Sequence, residues 1–141
     1  TVLVDYAHSP DSLKNILMAT KEYAKGRVIS VFGCGGDRDR TKRPIMGRIS
    51  GELADFTIIT SDNPRSEIPD EIIKEIEAGT IEITSNYTVV SDRALAIRKA
   101  LQIAQKDDVI VKKRKGHEPY QEINGEKLPY DERIIVKEII G

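Results

Sequence analysis

The sequence predicts an α/β fold: a mostly parallel, twisted sheet of about six strands, helices on both faces, and an antiparallel hairpin at one edge. Three observations carry this reading. Short runs rich in Val, Ile and Phe alternate with amphipathic helical segments from Val2 to Val111. Several of those segments open with recognisable helix-start chemistry. Asn124-Gly125 stands between two short strand-like runs, a strong two-residue hairpin signal.

The first strand is Val2 to Val4. Ser9-Pro10-Asp11 then opens a helix: Ser9 is the N-cap, Pro10 takes the first helical position, and Asp11 sits beside the positive helix end. Leu13, Ile16, Leu17 and Thr20 fall on one face, and Lys25-Gly26 ends the helix. Val28 to Phe32 is the second strand. A Gly- and Arg-rich loop leads to a helix from about Pro44, with Ile45, Met46, Ile49 and Leu53 expected inward. Phe56 to Thr60 is the third strand. Pro69-Asp70-Glu71 opens a third helix carrying Ile72, Ile73 and Ile76. Tyr87 to Val90 is the fourth strand. Asp92 begins a fourth helix, with Ile97, Ala100, Leu101 and Ala104 inward, and Val109 to Val111 is the fifth strand. Tyr120 to Ile123 and Glu126 to Leu128 form the hairpin, and a last helix runs from about Asp131 to Ile140. Repeated strand–helix units imply a Rossmann-like parallel sheet covered on both faces.

At 141 residues the chain is one domain's worth, long enough to bury a core. No apolar run is long enough to span a membrane, and the N-terminus lacks the pattern of a signal peptide. The net charge of -1 argues against a general nucleic-acid binder, which needs a basic excess to release counterions. Cys34 is the single cysteine, so no intrachain disulfide forms and a reducing cytoplasm is the expected compartment. The abrupt start on a strand suggests one domain of a longer chain.

In open parallel sheets, ligands bind beyond the carboxyl ends of the strands. The unusual polar segments fall there. Asp5-Tyr6-Ala7-His8 follows the first strand and Gly33-Cys34-Gly35-Gly36-Asp37-Arg38-Asp39-Arg40 the second. Ser61-Asp62-Asn63-Pro64-Arg65 follows the third, and Lys115-Gly116-His117-Glu118 the fifth. The glycines allow a tight turn or close approach to an anion. Taken alone, they read more readily as a flexible turn. Arg38, Arg40, Lys42 and Arg43 are suited to gathering carboxylates or phosphates, with a solvated basic loop as the equal alternative. Pro64 stiffens a turn, and Arg65 is suited to a bidentate carboxylate bond. His8, His117 and Cys34 are not at zinc-ligand spacing. The run Lys112-Lys113-Arg114-Lys115 reads as a solvated face or strand end before it reads as a phosphate patch.

Taken together and in order, these strings closely resemble the Mur ligase family of bacterial cell-wall synthesis, along with Lys42-Arg43-Pro44 and Asp92-Arg93. The resemblance covers essentially the whole chain. It implies that residues 1–141 are the C-terminal, amino-acid-binding domain of a three-domain, ATP-dependent amide ligase, with the UDP-muramoyl-substrate and ATPase domains elsewhere. The strings most resemble the branch of the family that uses meso-diaminopimelate. By position, Arg38, Asp62, Asn63, Arg65, Arg114 and Glu118 would contact that amino acid, with Arg65 selecting against lysine. Asp5, Tyr6 and His8 would lie near the nucleotide. The family has small apolar residues ending in Ala-Gly before Lys-Gly-His-Glu, where Lys112-Lys113-Arg114 stand here. No Gly-x-x-x-x-Gly-Lys-Ser/Thr phosphate loop occurs in the chain. The resemblance therefore assigns ATP and Mg2+ mainly to the central domain, leaves this chain without catalytic residues or a metal site of its own, and predicts that it forms no peptide bond alone. A lysine-adding ligase domain and a non-enzymatic Rossmann-like binding module are the alternative readings.

Overall fold

The structure, a computed structural model, describes the backbone of residues 2–5, 9–113, 120–123 and 126–129, and side chains within 9–112. The strands are β1 (Val2–Asp5), β2 (Val28–Phe32), β3 (Phe56–Ile59), β4 (Tyr87–Val89), β5 (Val109–Lys113), β6 (Tyr120–Ile123) and β7 (Glu126–Pro129). The helices are α1 (Pro10–Tyr23), α2 (Lys42–Leu53), α3 (Pro69–Thr80) and α4 (Arg93–Ile103). The α/β class and the parallel sheet are as expected. Among the described residues the main sheet has five strands in the order β1-β5-β2-β3-β4, all parallel, and β6 and β7 pair antiparallel as a two-stranded sheet of their own. The expected six-stranded sheet with an edge hairpin is corrected to that extent. The expected last helix lies outside the described residues.

Strand alternation divides the core. Val28, Phe32, Ile59, Val109 and Val111 pack with Leu13, Leu17, Met46, Ile72, Ile73 and Ile76 from α1, α2 and α3. Ile29, Val31, Ile58 and Ile110 face the other way, onto Ala96 and Ala100 of α4. Right-handed crossovers explain the division. The chain steps the same way along the sheet through α1, α2 and α3, then steps back through α4, so α4 lands on the opposite face.

The caps hold where the sequence placed them. Ser9 Oγ accepts the Ser12 amide at 3.2 Å and Asp92 Oδ1 accepts the Leu95 amide at 3.0 Å, each satisfying an otherwise orphaned donor at a helix start. α2 departs from expectation. It starts at Lys42, ahead of Pro44, and Ile45 is 48% exposed. Its buried stripe is Arg43, Met46, Gly47 and Ser50. The cause is the close approach of α3: a Cβ built on Gly79 would lie 1.9 Å from the Pro44 carbonyl oxygen. The inward face of α2 therefore combines Met46, as expected, with Arg43, Gly47 and Ser50, and hydrophobic periodicity points wrongly only at Ile45.

β5 also differs from its sequence reading. The strand continues through Lys112 and Lys113, and Lys112 is only 2% exposed. It is paired across the sheet with Val4 and Val31. Its ammonium is not on a solvated face, because the strand carries it into the interior on the same side as Ile110.

Candidate functional site

The order β1-β5-β2-β3 brings four strand ends side by side, and these are the four that carry the polar strings. The loops after β2 and β3 are described in full. Tyr6, His8, Arg114, His117 and Glu118 lie outside the described residues, as does the side chain of Asp5, whose backbone pairs with Lys113 at the end of β1.

The β2–α2 and β3–α3 loops are locked backbone to backbone. The Gly36 amide donates to the Asn63 carbonyl at 2.8 Å. A Cβ on Gly36 would lie 1.8 Å from the Pro64 carbonyl oxygen, so only glycine allows this approach. The glycine string thus serves loop-to-loop packing at Gly36 rather than an open turn or an anion cradle there. Asp62 and Asn63 are 7% and 5% exposed and sit low in this junction.

Four arginine-type cations surround the junction, and they divide into two kinds. Arg43 is 1% exposed; its Nη1 reaches Glu75 at 2.7 Å and Glu67 at 3.1 Å, and its Nη2 reaches Glu67 at 2.7 Å and the Gly35 carbonyl at 3.1 Å. Arg40 pairs with Glu75 at 3.0 Å. Both are paired with protein carboxylates rather than held open for a ligand; Arg40 remains on a solvated loop, whereas Arg43 is buried, against its reading as part of such a loop. Arg38 and Arg65 are different. Arg65 Nη1 donates to the Gly36 carbonyl at 2.8 Å and to the Asn63 carbonyl at 3.4 Å. Arg38 Nη1 donates to the Asp37 carbonyl at 3.2 Å. Neither forms an ion pair with a carboxylate among the described residues, although Arg65 lies close enough to Asp37 to favour its charged form. Both flank Gly35: a Cβ there would lie 2.9 Å from Arg65 Nη1 and 3.7 Å from Arg38 Cγ. Arg38 is exposed and Arg65 half-buried, and both approach the same glycine.

The backbone around them is held in an unusual shape. Asp37 and Arg65 both adopt positive φ, 55° and 51°. For non-glycine residues this costs on the order of 1 kcal/mol or more and persists only where the surroundings impose it. The Asp37 amide donates to Glu67 Oε2 at 2.5 Å, and its carboxylate accepts the Ser66 hydroxyl at 2.6 Å and amide at 3.2 Å. Those Ser66 bonds hold the Asp37 carboxyl below its usual pKa.

Hydrogen bonds from Arg43, then from the Asp37 amide, bring the Glu67 carboxyl down from 4.5 to about 2. Burial pushes the Glu75 carboxyl up, but hydrogen bonds from Arg40 and Arg43 outweigh it and the net shift is downward. A depressed carboxyl pKa contributes stability that is fully present above the unfolded value. That stability is lost as pH falls through the folded value. The Glu67 contribution is therefore lost between pH 4.5 and about 2. Acid titration of unfolding free energy is expected to be flatter over that window in Glu67→Gln than in the wild type. Superimposable slopes there would show the bond to be without thermodynamic weight.

Sequence reasoning missed the Arg43–Glu67–Glu75 cluster, since nothing local marks carboxylates 24 and 32 residues away as its partners. It also assigned no role to Arg93. That side chain is 1% exposed and donates to the Ser61 carbonyl at 3.4 Å from the start of α4, beneath the β3–α3 loop.

Among the described residues no His, Cys, Asp and Glu cluster fit for a metal occurs, and no helix is long and apolar enough to cross a membrane.

Residues 1–116 match the family described as Mur ligase, glutamate ligase domain. The chain is 58% identical over 140 residues to the UDP-N-acetylmuramoyl-L-alanyl-D-glutamate--2,6-diaminopimelate ligase of Caldanaerobacter subterraneus, covering 99% of this chain and 29% of that protein. A solved structure of a ligase of the same description superposes with a TM-score of 0.91 at 41% identity, over 99% of this chain and 28% of that one. A bifunctional folylpolyglutamate synthase/dihydrofolate synthase from Yersinia pestis superposes with a TM-score of 0.60 at 20% identity, over 79% of this chain and 25% of that one, a likeness of fold alone. The chain thus spans under a third of the length of these relatives. With the profile match over most of its length and the two loops locked as described, this chain belongs to the Mur ligase family, by its glutamate ligase domain.

Proposed function

We propose that this chain is the amino-acid-binding domain of an ATP-dependent ligase that joins meso-diaminopimelate to UDP-N-acetylmuramoyl-L-alanyl-D-glutamate. The observation that carries the reading is the pair Arg38 and Arg65, both beside Gly35 and neither in an ion pair with a carboxylate among the described residues. The names and high identity of the full-length relatives support it. Meso-diaminopimelate carries an ammonium and a carboxylate at each end. One amino group must be free to attack, so the far end is the handle. Planar, fork-like guanidinium groups are the residues of choice for a carboxylate handle. Asp62 and Asn63 shape the floor. By sequence position, Glu118 takes the distal ammonium and Arg114 borders the pocket, while Asp5, Tyr6 and His8 approach the nucleotide.

In the reaction, ATP converts the glutamate side-chain carboxylate of the muramoyl substrate to an acyl phosphate. The amine then attacks the acyl carbon, a C–N bond forms, and phosphate leaves with the C–O electron pair. When bound, Mg2+ offsets phosphate charge. Its ligands and the phosphate loop belong, in this reading, to another domain of the enzyme. This domain's own contribution is positioning, which converts a bimolecular attack into an oriented one.

The test is phosphate release by the intact enzyme supplied with ATP, the UDP-muramoyl dipeptide, and either meso-diaminopimelate or L-lysine. Lysine lacks the distal carboxylate and would leave the arginine pair unmatched. At about 1.5–3 kcal/mol per charge-assisted bond, a preference of roughly 100-fold or more in kcat/KM is expected for meso-diaminopimelate. Equal use of lysine would replace the substrate assignment with the lysine-adding reading. No turnover with either would favour the binding module.

A further inference from the structure

We infer that Arg43 is a positioning residue for the amino acid: a buried side chain that touches no ligand itself but holds both rim loops in register, so that Arg38 and Arg65 are aligned before the ligand arrives. This inference rests on the reading of the site given above. Arg43 Nη2 fixes the Gly35 carbonyl, and Glu67, which Arg43 holds through both terminal nitrogens, fixes the Asp37 amide. Residues 35 and 37 flank Gly36, whose carbonyl receives Arg65. On the other loop, Glu67 stands two residues after Arg65, and its amide closes a turn onto the Pro64 carbonyl at 2.9 Å. The contact between Arg65 and Gly36 is thus bracketed on both strands of the junction by bonds that end on one guanidinium.

Stability alone does not account for this arrangement. Arg43 is 1% exposed, and its Nε is buried with no hydrogen-bond partner. Replacing a buried ionic cluster with well-packed apolar groups is often neutral or stabilising. The cluster sits against two backbone residues at positive φ, Asp37 and Arg65, which are the residues whose shape aims the open guanidinium groups. Such strain persists only where the surroundings over-determine it.

The experiment measures KM for meso-diaminopimelate, KM for ATP, and kcat in the intact enzyme. The variants are Arg43→Met, Arg43→Lys, Glu67→Gln and Arg65→Ala, each checked for folding by thermal melt. For Arg43→Met, KM for the amino acid is expected to rise about tenfold or more, since a loosened pocket loses preorganised binding, while KM for ATP stays within about twofold. Arg43→Lys restores the charge but not the fork and falls between, and Glu67→Gln shifts the same constant in the same direction. The inference is overturned by a wild-type KM for the amino acid in folded Arg43→Met. Equal rises for ATP and amino acid overturn it too, as does failure of both Arg43→Met and Glu67→Gln to fold, which would make the cluster structural only. Arg65→Ala separates the two levels. If it loses the amino acid while Arg43→Met does not, the site stands and the positioning role falls; if Arg65→Ala is silent, the site itself is misassigned.

Discussion

Arg65→Ala in the intact enzyme is expected to lower kcat/KM for meso-diaminopimelate by roughly 10²- to 10⁴-fold, the equivalent of two lost charge-assisted bonds at about 1.5–3 kcal/mol each. The geometry sets the size of the effect. Arg65 gives only Nη1 to the Gly36 and Asn63 carbonyls, which leaves the rest of the fork for a carboxylate. The same geometry supplies a control for folding. Arg65 stands at φ 51°, where a glycine is free of the side-chain penalty that alanine still carries. Arg65→Gly is therefore expected to melt no lower than Arg65→Ala while losing just as much activity. Steady-state kinetics paired with thermal melts check both halves. A glycine variant that keeps activity would mean that backbone shape, and not the guanidinium, is what the rim supplies.

The second large effect is on stability, far from the rim. Gly79→Ala is expected to destabilise the domain by about 2–3 kcal/mol through overpacking. Alanine is the better helix former by about 1 kcal/mol, so propensity alone predicts a gain. The clash decides the sign. The new methyl would meet the Pro44 carbonyl oxygen at 1.9 Å and its carbon at 2.7 Å, both main-chain atoms that no rotamer change can remove. α2 and α3 would have to move apart, exposing Met46 and Ile76 at the heart of the three-helix face. Gly51→Ala is the matched comparison. Its nearest neighbours are side-chain atoms of Ile83 and Thr84 at 3.3–3.5 Å, so a change within about 0.5 kcal/mol is expected. Chemical denaturation of both variants is the check. Equal stability of the two would show that the helices slide freely at Pro44.

The element order and most helix starts were legible because they rest on local chemistry: a serine or aspartate before the first turn, a proline inside it, alternating Val and Ile in strands. The sheet's parallel character followed from the rhythm. What escaped was set by partners distant in sequence. Arg43 looked like a member of an open basic loop until Glu67 and Glu75 arrived from the neighbouring loop and helix. Ile45 looked like core until Gly47 and Gly79 let two helices touch and turned the stripe by one position. Lys112 looked like a strand end because nothing in a run of basic residues shows that a strand will carry one of them inside. Of the assigned site residues, Arg38, Asp62, Asn63 and Arg65 lie on the loops after β2 and β3, which meet at one junction. Their division into open and paired cations was readable only in three dimensions.

The position of β5 between β1 and β2 has a consequence for assembly. β1 finds its partner in β5, pairing Val2 with Ile110, so strands from opposite ends of the folded core meet. Such closure is entropically expensive and slows folding. On a chain made from its N-terminus, β2, β3 and α1 to α3 emerge early, while β1 and one edge of β2 must both wait for residues 109–113. The loops that carry Arg38 and Arg65 are therefore made well before β5, whose arrival joins β1 to β2 and completes the core under the three helices with Val109 and Val111.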